Sequence, residues 1–185
     1  MANSGKIARR SAALEGRMAA GSNVQIVPAA PAYRLSLRAS AKSVNSLSKA
    51  VGLPLPSKPK SSAVKAKRSA LWLGPDEWLI IDESDSNPVD ALSKTRIPHA
   101  AVDISHRNTG ILVSGSAAEA TLSSGCPQDL RIGSFPVGAC SRTVLGKAEI
   151  VLWRIAENEF RVECWRSFST YVFDFLELAA RDAAA

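Results

Sequence analysis

Strand-like runs come in pairs along this chain, and helical segments fall between the pairs. The clearest pair is ALWLGPDEWLII, residues 70–81: an apolar run, a Gly74-Pro75-Asp76 turn, and a second apolar run through Trp78 to Ile81. Glycine and proline interrupt the run at a single point, so its halves are predicted to fold back on each other as strands. Tyr33, Leu35 and Leu37 alternate with Arg34, Ser36 and Arg38, the period of two expected of a half-buried strand. Ser40 then caps a helix with Val44, Leu47 and Val51 on its apolar face, stopped by Gly52 and Pro54. Asn87 caps a shorter helix that begins with Pro88 and continues through Leu92.

The second half repeats the plan. Residues 101–105 form a strand, Arg107-Asn108-Thr109 a turn, and residues 110–113 the returning strand. Ser116 and Glu119 have capping-box spacing for a helix that Gly125 ends. A looped DLRIGSFPVG segment leads into three strands near 139–145, 148–155 and 160–165. A last helix, about 168–181, carries Val172, Phe175, Leu176 and Ala179 at helical spacing. Paired strands separated by helices predict an α+β fold, with mostly antiparallel sheets, packed helices and split βαβ units. The run 53–68, rich in proline, serine and lysine, is expected to be an exposed connection. Residues 1–23 are expected to be a flexible basic arm, and residues 24–185 a single domain.

Charge divides this chain unevenly. Residues 1–70 carry 13 of the 23 lysines and arginines and one acid, Glu15, while residues 71–185 are net acidic. Three readings of the basic third stay open: a nucleic-acid arm, an organelle-targeting peptide, or a surface that meets an acidic partner protein. Aromatic residues do not interleave with the cations, since Tyr33 alone precedes Trp72, so no nucleic-acid partner is expected. No run approaches the roughly 18 apolar residues of a membrane span, and the first twenty residues lack the apolar stretch of a secretory signal. Cys126, Cys140 and Cys164 are odd in number and without CxxC spacing. A cytoplasmic chain with buried thiols is expected.

Chemistry-bearing motifs are sparse. GxGxxG, GxxxxGK[ST] and GxSxG are absent, which argues against a stand-alone flavin or nicotinamide enzyme. His99 and His106 lie seven apart across a predicted strand, on opposite faces, and no metal site is expected. The densest polar cluster runs from Asp103 to Thr109. Asp103 and His106 are either an acid–base pair or part of a turn held by side-chain-to-backbone bonds. Of the four tryptophans, Trp72, Trp78, Trp153 and Trp165, most are assigned to the core and one or two to a subunit interface.

The string VDISHRNTGILVSGSAAEATLSSGCPQDL, residues 102–130, resembles the folate-binding aminomethyltransferase superfamily of the glycine cleavage system. Within it, LWLGPDEWLI (71–80), GCPQDL (125–130), FPVGACSRT (135–143) and CWRSFSTYVFDFL (164–176) are more similar to the gamma-subunit family of heterotetrameric sarcosine oxidase. The resemblance covers roughly residues 30–180. It implies a non-catalytic subunit, partnered with alpha, beta and delta subunits, in an enzyme that demethylates sarcosine to glycine. It further implies FAD, FMN, NAD and zinc in the other subunits, tetrahydrofolate as acceptor of the methyl carbon, and no cofactor here. Active aminomethyltransferases carry an acidic pair where Glu149 and Ile150 stand in this chain. Isoleucine cannot handle a proton, so the folate site is expected to be lost, although a one-residue shift would keep Glu149 in the acidic place. No catalytic, cofactor-binding or metal-binding residue is therefore assigned, and a free-standing folate-dependent aminomethyltransferase is the alternative.

Overall fold

Two antiparallel sheets and four helices follow from these patterns in a computed structural model that describes residues 12–21, 23–84 and 87–183. The strands are β1 (Ala19–Ala20), β2 (Gln25–Pro28), β3 (Tyr33–Arg38), β4 (Ser62–Lys65), β5 (Arg68–Gly74), β6 (Glu77–Asp82), β7 (Ala100–Asp103), β8 (Asn108–Ser114), β9 (Cys140–Leu145), β10 (Ala148–Ala156) and β11 (Glu159–Trp165). The helices are α1 (Val44–Val51), α2 (Pro88–Ser93), α3 (Ala118–Ser123) and α4 (Ser169–Asp182).

One sheet has the order β4-β5-β6-β3-β7, the other β1-β2-β8-β11-β10-β9. In the first, β3 and β5 flank β6, while β6 and β7 flank β3. The units β3-α1-β5 and β6-α2-β7 are thus two interleaved split βαβ units, as the alternation of strand and helix predicts.

The sheets pack face to face with helices outside. Leu71, Leu79, Ile81, Val151 and Trp153 meet between them. Leu35, Leu37, Trp78 and Ile80 turn the other way, onto Leu47 and Val51 of α1 and Leu92 of α2. Ile150, Leu152, Phe160 and Val162 pack on Leu122 of α3 and on Phe173 and Leu176 of α4. A strand covered on both faces reads as an unbroken apolar run, and this is why β6 is buried from end to end.

Local signals account for many element ends. Gly52 closes α1 in the left-handed region at φ 73°. Arg68 donates to the carbonyl of Val51 there and pairs with buried Asp82. The Asn87 side chain accepts from Val89 N at 3.0 Å, and Pro88 opens α2.

Several expectations are corrected. Residues 53–68 contain strand β4 and buried Leu53 and Leu55, because pairing with β5 recruits a segment whose composition alone reads as loop. The turn after β7 spans residues 105–107, and Asn108 and Thr109 already belong to β8. The Ser116–Glu119 capping box does not form: α3 starts from Ala117 without a side-chain cap, and Glu119 instead bonds Arg154 at 2.7 Å. A cation as buried as Arg154 claims the carboxylate ahead of an exposed backbone amide. Finally, Leu14 and Ala19 are buried in the core under α4, and Arg17 pairs with Asp174 at 2.6 Å, so packed chain begins before the expected boundary at Val24. Residues 1–11 of the expected arm lie outside the described residues.

β3 is not half-buried, because its second face meets the other sheet. Arg34 is only 5% exposed, and its Nε donates to Glu163 Oε2 of β11 at 2.5 Å. Glu163 also accepts from Arg161 Nε at 2.8 Å, and Arg161 reaches Glu83 at 2.5 Å. Gly110 makes room: a Cβ built there lies 2.7 Å from Glu163 Oε1 and 3.1 Å from Arg34 NH2. Removing one member of such a pair strands a buried charge, at a cost of about 3–5 kcal/mol, whereas an apolar replacement of both is often neutral. Glu163→Gln is therefore expected to lose stability of that order in urea unfolding. The double variant Arg34→Met/Glu163→Leu should recover most of it; equal losses in both would contradict this account.

Candidate functional site

The polar cluster around Asp103 is a turn. The Asp103 carboxylate accepts from Ser105 N at 2.8 Å and from Ser105 Oγ at 2.5 Å, and Ser105 Oγ accepts from Arg34 N at 2.9 Å. Burial would raise the Asp103 pKa, but the bonds from Ser105 and the charge of His106 outweigh it and hold the carboxyl below its ordinary range. A carboxylate so held favours its charged form and accepts bonds, a poor starting point for a general base near neutrality. His106 is exposed in the turn, and the Nδ1 of His99 lies 2.6 Å from the Ile97 carbonyl. The two histidines are not brought together. Among the described residues, no group of three or more His, Cys, Asp or Glu is placed to hold a metal.

All three cysteines are buried and free. Desolvation pushes Cys140 and Cys164 up to about 12, a range in which thiolate is scarce at neutral pH. Ellman's reagent is expected to leave both unreacted in the native chain at pH 8 and to titrate them after denaturation; rapid native reaction at either would refute the assignment.

Glu149 and Ile150 diverge, as neighbours on a strand must. Ile150 is buried among the helices, while Glu149 turns to the opposite face, mostly exposed, with Arg142 Nε 3.9 Å away. Glu149 borders a cavity between the sheets whose lining includes Glu77, Arg142, Glu163, Arg107 and Trp165. Its volume is about 50 Å³, far below the roughly 300 Å³ at which ligand pockets begin. A larger surface groove, about 480 Å³, runs between residues 12–17 and 28–34 beside His106. Among the described residues its lining contains no Phe, Tyr or Trp on which a pterin could stack, and neither Glu149 nor Ile150. Among the described residues, neither of these two spaces brings Glu149 and Ile150 to a cavity of ligand size.

Alternation alone did not reveal the charged groups at the cavity. Arg142 NH2 donates to Glu77 Oε1 at 2.6 Å, and Arg38 reaches Glu77 Oε2 at 2.9 Å. The signal was present in the Asp76-Glu77 step that ends the apolar run, but its partners lie 39 and 65 positions away. Three tryptophans fall in or on the core as expected: Trp78 and Trp153 are buried and Trp72 packs partly buried, whereas Trp165 is 43% exposed.

This arrangement of helix, sheet, sheet and helix defines an aminomethyltransferase-like fold. Glycine cleavage system aminomethyltransferase T from Bartonella henselae superposes with a TM-score of 0.61 at 13% identity, covering 88% of this chain and 50% of that one. Closer similarity sets the family. The model of the sarcosine oxidase gamma subunit family matches residues 38–184, and the chain belongs to that family. A sarcosine oxidase subunit gamma from Corynebacterium sp. strain U-96 is 31% identical over 175 residues, 91% of this chain and 85% of its own length. Another, from Corynebacterium sp. strain P-1, is 33% identical over 135 residues, 70% of this chain and 66% of its own. A chain of the heterotetrameric sarcosine oxidase from strain U-96, solved with pyrrole 2-carboxylate, superposes with a TM-score of 0.84 at 29% identity, covering 91% of this chain and 89% of that one. Among the described residues no helix is long and apolar enough to cross a membrane.

Hydrogen bonds from Arg142, working against burial and helped by the charges of Arg142 and Arg38, hold the Glu77 pKa below its usual value. A depressed folded pKa gives stability that is complete above the unfolded glutamate value of about 4.3 and is lost as pH falls through the lower folded value. Glu77→Gln should therefore be less stable than the parent at neutral pH. Its stability should also decline less between roughly pH 4.5 and 3, which chemical denaturation across that range would test.

Proposed function

We propose that this chain is the gamma subunit of a cytoplasmic heterotetrameric sarcosine oxidase, supplying surface and shape rather than reacting groups. One observation carries most weight: the fold matches a chain of a solved heterotetrameric sarcosine oxidase nearly end to end. The cavity beside Glu149, about 50 Å³ and so smaller than a ligand pocket, supports the same reading. On it, the alpha, beta and delta subunits are partners, with beta the direct neighbour. FAD, FMN, NAD and zinc reside in those subunits. The assembly oxidises the N-methyl group of sarcosine, releasing glycine and hydrogen peroxide. The methyl carbon leaves as formaldehyde, or as methylenetetrahydrofolate when tetrahydrofolate accepts it. Specificity for the N-methyl amino acid then lies outside this chain.

Co-expression with the flavin-bearing subunits is expected to yield a stoichiometric yellow complex, and omission of this chain a loss of soluble, active complex. Full activity without it would contradict the proposal. Isothermal titration of the isolated chain with tetrahydrofolate should show no saturable binding, whereas micromolar binding would favour a free-standing aminomethyltransferase.

A further inference from the structure

Aromatic side chains in this protein are buried or partly buried with one local exception. Trp78, Phe135, Phe160 and Phe173 are fully buried, whereas Trp165, Phe168 and Tyr171 are 43%, 42% and 40% exposed. These three lie within seven positions, where β11 passes through a short 3-10 turn (Arg166–Phe168) into α4. The Trp165 and Phe168 rings are 6.1 Å apart, and the Arg107 guanidinium lies 5.6 Å from the Trp165 ring centre. Arg107 Nε donates to Asn108 Oδ1 at 3.3 Å, and no carboxylate among the described residues forms an ion pair with it. Beside the pair opens the 50 Å³ cavity, with room for the end of one side chain.

Resting on the reading as a gamma subunit, we propose that the Trp165–Phe168–Arg107 patch is the contact through which this chain docks on another subunit of the assembly. The partner presents an apolar side chain to the two rings and a carboxylate to Arg107. Tryptophan, tyrosine and arginine are the residues that most often dominate such contacts. A carboxylate is the group that an unneutralised guanidinium on an aromatic face still lacks. A different subunit is the favoured occupant over a second copy, because the similar solved chain belongs to an assembly of unlike subunits.

The lysine-rich side of the molecule is the contrasting surface. Residues 16–75 contain no acid, and Lys58 and Lys65 are exposed there. Such ammonium groups are well solvated and steer an encounter more than they hold it.

The test uses the complex co-expressed from all four subunits and follows its dissociation on dilution by mass photometry. Trp165→Ala/Phe168→Ala should weaken assembly about tenfold or more. Arg107→Glu, a change at an exposed side chain with no ion pair to lose, should weaken it as well and guards against a folding defect in the double variant. Lys58→Glu/Lys65→Glu should stay within about twofold at physiological salt. Wild-type assembly by both patch variants would overturn the inference while leaving the gamma-subunit reading intact. Loss of a self-association of this chain, in place of loss of the mixed complex, would overturn it too. Failure of the unaltered chain to join the other subunits would overturn both readings together.

Discussion

Charge buried between two β-sheets has to be neutralised where it stands, and in this protein that requirement ties the sheets to each other. Glu163 on β11 is 1% exposed, with Arg34 of the opposite sheet on one side and Arg161 of its own strand on the other. Desolvating such ions costs several kcal/mol each, and the cost is offset only when the geometry is close. The apolar contacts around Leu79, Val151 and Trp153 are non-directional and would tolerate some sliding. An Arg–carboxylate pair would not, because its hydrogen bonds have direction. Gly110 completes the arrangement by leaving out the one Cβ that would crowd it.

A molecule locked in this way has most of its described interior occupied by side chains. Each sheet gives one face to the other sheet and one to helices, and apolar side chains pack in each space. What remains for function is surface, and the surface is uneven. Arginines are largely spent on internal pairs, from Arg17 with Asp174 to Arg154 with Glu119. Lysines from α1 to β5 face water, and exposed aromatic rings gather where β11 meets α4. A subunit that lends shape to an assembly needs this division between a rigid interior and a few adhesive surface groups.

The hairpin at 70–81 was legible because Gly74-Pro75 interrupts a run of apolar residues, and the strands at 140–165 because Gly146-Lys147 and Glu157-Asn158 separate runs rich in apolar residues. Helix ends at Gly52 and Asn87 were legible for the same local reason. Strand β4 was not, since its lysine and serine composition suits an edge strand and a loop equally. The capping box at Ser116–Glu119 misled because a distant cation, Arg154, competes for the same carboxylate. Arg34 looked solvent-facing because alternation tells which residues share a face, but not what covers that face.

From its sequence alone this chain reads as an α+β protein of paired strands that lacks the GxxxxGK[ST] motif and is expected to bury its thiols. Those properties depend on residue type and on neighbours a few positions away. Only the tertiary structure decided that both faces of β3 are covered, that Glu77 meets Arg142, and that Trp165 alone among the tryptophans stays substantially in water. Each joins residues tens of positions apart or depends on which sheet face is left open, and such long-range pairing is set by the packing of whole layers, which no local period encodes.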